Sequence, residues 1–198
     1  MRNGSTFFGR GDMMWLNPPL EYAIDQHGVL SLTTGEKTDF WQSTFYGFRR
    51  DDGHILACPL EGAFTMSVDF DGDYGHLYDQ AGLVIRASST SWIKCGLELT
   101  DGKLHFSVVV TNGKSDWSAI PVETSGPVSV RITKLKDAFF IQFRLGSTSD
   151  WRMARLAYLD ETSPSLIGGI MACSPQRAGF VARFSSFSIT PPVISDIH

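Results

Sequence analysis

Two short runs near the middle of the chain alternate apolar side chains with polar or small ones: Asp79-Gln80-Ala81-Gly82-Leu83-Val84-Ile85-Arg86 and Ser91-Trp92-Ile93-Lys94-Cys95-Gly96-Leu97-Glu98-Leu99. Successive side chains on a strand point to opposite faces, so a period of two is the mark of a strand with one face buried. In the second run Ile93, Cys95, Leu97 and Leu99 share the core face. Trp92, Lys94, Gly96 and Glu98 share the other, which carries aromatic, basic and acidic chemistry together.

The same rhythm recurs to the end of the chain. Phe64, Met66, Val68 and Phe70 fall on one face of a central strand over 63–70, and Thr65, Ser67 and Asp69 on the other. Residues 28–34, 104–111, 128–134, 138–145, 168–173 and 180–189 read as further strands. Asp101-Gly102 and Asn112-Gly113 are hairpin dipeptides, and Lys136-Asp137 joins two more strands. The aromatic-rich stretch 40–50 ends in a polar turn over 49–54, while 151–156 fits either a strand or a turn of helix. Long helical periodicity is scarce, and nothing divides the 198 residues, so one all-β domain over 1–198 is expected.

Composition narrows the function classes. An apolar fraction of 42% with 14 Phe and 5 Trp supports a substantial core. A formal charge of −4 with interspersed signs offers no cationic track, so no nucleic-acid partner is expected. No stretch approaches the ~18 apolar residues of a membrane span, and the amino terminus lacks the apolar run of a secretory signal. A cytoplasmic protein without a membrane partner follows as the expectation. Cys58, Cys95 and Cys173 are odd in number and widely spaced, as reduced buried thiols would be.

Three linked motifs carry a resemblance. Asp79-Gln80-Ala81-Gly82-Leu83, Trp92-Ile93-Lys94-x-Gly96-Leu97-Glu98 and Val108 to Trp117 through Asn112-Gly113-x-Ser115-Asp116, with Trp15-x-Asn17-Pro18 and Phe40-Trp41-Gln42 before them, resemble the family named for regulation of enolase. The resemblance implies a concanavalin A-like jelly-roll sandwich of two antiparallel sheets with a concave face. It also implies a non-enzymatic part in the regulation of enolase and central carbon metabolism, exercised on a protein partner or a ligand. A shared fold does not transfer the activity of lectins or glucanases.

The residues themselves suggest where a ligand would sit. Trp92, Lys94 and Glu98 would share a polar face with His105, Ser107 and Thr111 of the next strand, with Asp79 and Gln80 at one end and Trp117 at the mouth. An aromatic ring beside charged and hydrogen-bonding groups suits a carbohydrate or another polar small molecule. Lys94 and Glu98 equally fit a charge pair on a solvated sheet, Trp92 a rim or core aromatic, and Trp117 a loop-packing ring or, like Trp41, an anchor for a protein. A glycan hydrolase is the remaining alternative, but it would need a second carboxyl group beside Glu98, and Asp79, Asp116 and Glu123 all fall near strand ends or loops.

Metal and cofactor chemistry find no motif. Asp69-x-Asp71-Gly72-Asp73 lacks the glycine and the twelfth-position glutamate of a calcium loop and reads as a polar turn. His27, His54, His76, His105 and His198 show no ligand spacing, and no cofactor is expected.

Overall fold

The structure, a computed structural model, describes residues 7–9, 11–146, 150–160 and 166–196. His198 lies outside them. Among the described residues sixteen strands follow one 3-10 turn, Phe7–Gly9. The first five are short: β1 Met14–Leu16, β2 Glu21–Ile24, β3 Leu30–Thr33, β4 Phe40–Gln42 and β5 Arg49–Asp51. Then come β6 His54–Leu60, β7 Phe64–Gly72, β8 Gln80–Ser88, β9 Ser91–Thr100, β10 Lys103–Asn112 and β11 Lys114–Pro121. The chain ends with β12 Val128–Leu135, β13 Ala138–Leu145, β14 Arg152–Tyr158, β15 Leu166–Cys173 and β16 Val181–Thr190.

These strands form a concanavalin A-like jelly-roll sandwich. One antiparallel sheet runs β1-β6-β15-β8-β9-β10-β11, the other β14-β13-β12-β7-β16-β3-β2, and β4 pairs only with β5. The alternation seen in the sequence decides which side chains meet between the sheets. Ile93, Cys95 and Leu97 of β9 and Phe64, Met66, Val68 and Phe70 of β7 enter one core, where Phe106 stacks on Phe143 with centroids 4.2 Å apart. The hairpins also turn where their dipeptides lie: Asp101 and Gly102 take φ 52° and 70°, and Lys136 takes 53°, the left-handed geometry that a tight turn between twisted strands requires.

Several local expectations need correction. The stretch 54–60 follows a polar turn in the sequence but forms β6, with six of its seven residues buried. Arg49–Asp51 is a strand rather than part of that turn, which shrinks to Asp52-Gly53, both of whose amides donate to Asp39 O at 3.1 Å. The strand expected over 28–34 is trimmed to Leu30–Thr33, and the ambiguous 151–156 resolves as the edge strand β14. The acidic stretch Asp69–Asp73, expected as a polar turn, instead continues β7 as far as Gly72, and a cation of the neighbouring β16 engages it: Arg183 pairs with Asp71 at 2.9 Å and with Asp73 at 2.7 Å. Among the described residues no helix is long and apolar enough to cross a membrane.

The polar face of β9 is not solvated. The segment around β4 and β5 folds across the outer surface of the first sheet and builds a second apolar cluster there, from Phe40, Trp41, Ile55, Ala57, Val84, Trp92, Val109, Met171 and Cys173. That segment is tied at several points. Arg86 grips Asp51 through two nitrogens at 2.5 and 2.8 Å, Asn17 Nδ2 donates to Asp51 O and Gly53 O, and the Gln42 amide donates to Ser115 Oγ at 2.9 Å.

Candidate functional site

Between this covering segment and the sheet lies a pocket of about 260 Å³. Alternation places its floor: Gln80 of β8, Lys94 and Glu98 of β9 and Val109 of β10 all point outward from the sheet. Asp39, Trp41, Tyr46 and Phe48 come from the covering segment, Tyr78 from the turn before β8, Trp117 from β11, and Pro175 and Gln176 from the loop after β15. The floor is kept low at one point by Gly82 and Gly96, which face each other across β8 and β9. A Cβ on Gly96 would stand 2.0 Å from the Ala81 carbonyl oxygen, so the two strands approach closer than any side chain there permits.

The charges of the floor are buried and mutually arranged. Lys94 Nζ donates to Gln80 Oε1 at 2.6 Å and lies 3.4 Å from Asp39 Oδ1. Burial alone would depress the Lys94 pKa, but the field of Asp39, with Cys173 and Glu98, outweighs it and leaves the ammonium more basic than usual. Glu98 stands the other way. Burial raises its pKa, and Lys94 and the donors Ser107 and Trp117 offset this only in part. The Trp117 indole N–H donates to Glu98 Oε2 at 3.1 Å and to Ser107 Oγ at 2.9 Å, which fixes the ring at the rim.

Tyr78 holds a backbone conformation that bulky residues seldom adopt, φ 67°. Its turn is made rigid by Asp79, which is wholly buried. The Asp79 carboxylate accepts from the Gly75 and His76 amides at 3.0 and 2.9 Å, from Ser174 Oγ, and from Arg177 Nη2 at 2.6 Å. Burial would raise the Asp79 pKa, but Arg177 and these donors prevail and hold it below the ordinary value. The Tyr78 and Tyr46 hydroxyls lie 3.4 Å apart, and that contact, with burial, pushes the Tyr78 phenol up to about 12.

Of the residues singled out in the sequence, Gln80, Lys94, Glu98 and Trp117 line the pocket, and Ser107 holds Trp117 from beneath. The other four stand outside the lining. Asp79 is the turn lock just described, and Trp92 is buried against Phe40 with centroids 5.9 Å apart. Thr111 bonds Ser115 Oγ at 2.8 Å, under the covering segment, and His105, half-buried, faces the Lys103 carbonyl at 3.1 Å. Asp39, Tyr46, Phe48 and Tyr78 escaped sequence reasoning, although the aromatic density of 40–50 was the signal that could have found Tyr46 and Phe48. All three cysteines are buried thiols outside any disulfide, and burial pushes the Cys95 and Cys173 thiols up, which leaves them poor nucleophiles.

The chain has clear relatives. It is 42% identical over 93% of its length, and 92% of the relative's, to regulation of enolase protein 1 of Saccharomyces cerevisiae. An uncharacterised protein of Emericella nidulans is 29% identical over 77% of this chain and 82% of its own. Among solved structures, a functionally unknown protein from Saccharomyces cerevisiae superposes with a TM-score of 0.86 at 41% identity, covering 92% of this chain and 98% of that one. The carbohydrate-binding module CBM66 from Bacillus subtilis gives 0.56 at 14% identity, covering 90% of this chain and 95% of that one, a likeness of fold alone. The sequence matches the family described as "Protein of unknown function (DUF1349)" over residues 15–192, and the chain belongs to that family.

Proposed function

We propose that this protein is a non-enzymatic regulatory protein that senses a small molecule in the pocket on its first sheet, and that it takes part in this way in regulating enolase and central carbon metabolism in the cytoplasm. The observation that carries the reading is the pocket itself: an aromatic rim over buried Lys94 and Glu98, with Asp39 of the covering segment beside Lys94. A soluble protein gains nothing in stability from leaving such a hollow unfilled, and pockets of mostly apolar lining with a few placed polar groups are where small ligands bind. Similarity to regulation of enolase protein 1 supports the regulatory part. The chain acts as one domain, and enolase or a protein linked to it is the partner this reading implies.

A second reading, a carbohydrate-binding module, is favoured by the rings of Trp117 and Tyr78 beside Glu98 and by the likeness of fold to CBM66. Hydrolysis is a weaker reading, because Lys94 engages Asp39, the carboxylate that shares the pocket with Glu98. A thermal-shift panel of neutral sugars, central-carbon metabolites and small organic cations, run beside purified enolase, tests the proposal. A small molecule is expected to raise the midpoint of the wild-type protein by several degrees and to do so less in Tyr46→Ala and Glu98→Gln. If no small molecule stabilises the protein, while enolase binds both variants as tightly as wild type, the pocket is not the working surface.

A further inference from the structure

We infer that the pocket takes a methylated or quaternary ammonium group. The inference rests on the small-molecule reading above and names its chemical class. Three observations converge on it.

The first is the shape of the aromatic lining. Among the described residues five rings line the cavity: Trp41, Tyr46, Phe48, Tyr78 and Trp117. They do not form one flat platform. Trp41 stands at 68° to Tyr46 and Tyr78 at 82° to Trp117, while Tyr46 and Phe48 are near parallel, at 24°. A sugar stacks its flat side on one ring, whereas a rounded cation is attracted by several π faces set around it.

The second is charge. Among the described residues two acids, Asp39 and Glu98, and one base, Lys94, line the cavity, so this set fully ionised carries one negative charge in excess. Lys94 is already matched by Asp39 at 3.4 Å and is pinned further by Gln80 and by the Trp92 ring, 5.9 Å from its centroid. Among the described residues no cation forms an ion pair with Glu98, the buried carboxyl left over. A cation entering the rim supplies that missing counter-charge, and an anionic metabolite would meet repulsion instead.

The third is the hydrogen-bond inventory. Lys94 donates to Gln80, Gln80 Nε2 donates to the Tyr78 carbonyl, the Trp117 indole serves Glu98 and Ser107, and the Tyr46 and Tyr78 hydroxyls face each other. The polar groups of the site are largely spent on one another. A polyol would have to compete for them, while a quaternary ammonium has no donors to satisfy and binds through charge and ring faces alone.

The probe is choline, set against its uncharged isostere 3,3-dimethylbutan-1-ol, with glucose as a neutral polyol, each titrated calorimetrically into the full chain at matched ionic strength. Choline is expected to bind at least about tenfold more tightly than the isostere. Glu98→Gln is expected to erase most of that preference, so that choline and the isostere then bind about equally. Phe48→Ala, at a position 43% exposed on the covering segment, is expected to weaken choline. Equal binding of choline and the isostere overturns the inference. So does glucose binding in a Phe48-dependent way without choline, an outcome that would leave the small-molecule reading intact. Silence from all three probes while another neutral metabolite binds at the same residues also overturns it.

Discussion

Glu98 shows how much one residue's setting differs from what its neighbours in sequence convey. In an extended chain it is a carboxylate among apolar residues on a strand. In the fold it is buried beside Lys94, Ser107 and Trp117, with its pKa raised by burial from the ordinary 4.5. A group whose folded pKa exceeds its unfolded one contributes stability that is complete below the unfolded value and is lost as pH rises through the folded one. Glu98→Gln, a neutral mimic of the protonated acid, is therefore expected to be more stable than wild type at pH 8, by about 1 kcal/mol, with the gap closing toward pH 4. Denaturant unfolding at the two pH values measures it, and a gap independent of pH would contradict the assignment. Alternation alone revealed that Lys94 and Glu98 share a face. It could not reveal Asp39, which reaches Lys94 across 55 positions of sequence, because a period of two carries no information about what folds over the strand.

At the scale of elements, the segment from Asp39 to Asp52 decides whether the polar face is a wet surface or a site. Its strands are three residues each, too short for periodicity to show, and its anchors are remote in sequence: Arg86 with Asp51 and Ser115 with Gln42. The aromatic density of the stretch was visible, its destination was not. The same limit hid β6. Pro59 argues against a central strand, yet β1 pairs with β6 only at residues 55–57, so Pro59 lies beyond that ladder where no donor is needed on that side. By contrast β7, β9 and β10 were legible because each is long enough to alternate through a whole core layer. The Arg86–Asp51 fork, mostly buried, makes a specific expectation. Arg86→Ala should loosen the covering segment, with amides over 40–51 exchanging at least about tenfold faster while β7 and β12 exchange as before. Uniformly faster exchange would mean that the fork supports the whole sandwich rather than this segment.

For the molecule as a whole, the two sheets enclose one core and the covering segment adds a smaller one outside, so the first sheet is buried on both faces over much of its centre. This explains why β15 is so uniformly apolar or small, and why even the outward side chains of β9 are buried. Gly82, Gly96 and Gly169 each stand where a Cβ would lie about 2.0 Å from the neighbouring strand's carbonyl, the first two drawing β8 and β9 together beneath the site and the third drawing β15 to β6. Alternation and hairpin dipeptides were enough for the sandwich, since both act over a few residues. The pocket depends on contacts between segments far apart in sequence, and only part of it could be foreseen. Its role as a ligand site is the central claim, and the most direct measurement is hydrogen exchange read peptide by peptide with and without a ligand that stabilises the protein. Protection is expected over 39–52, 76–80 and 115–119, with the second sheet unchanged. Protection confined to β12, β13 or β14, or none on the first sheet, would contradict it.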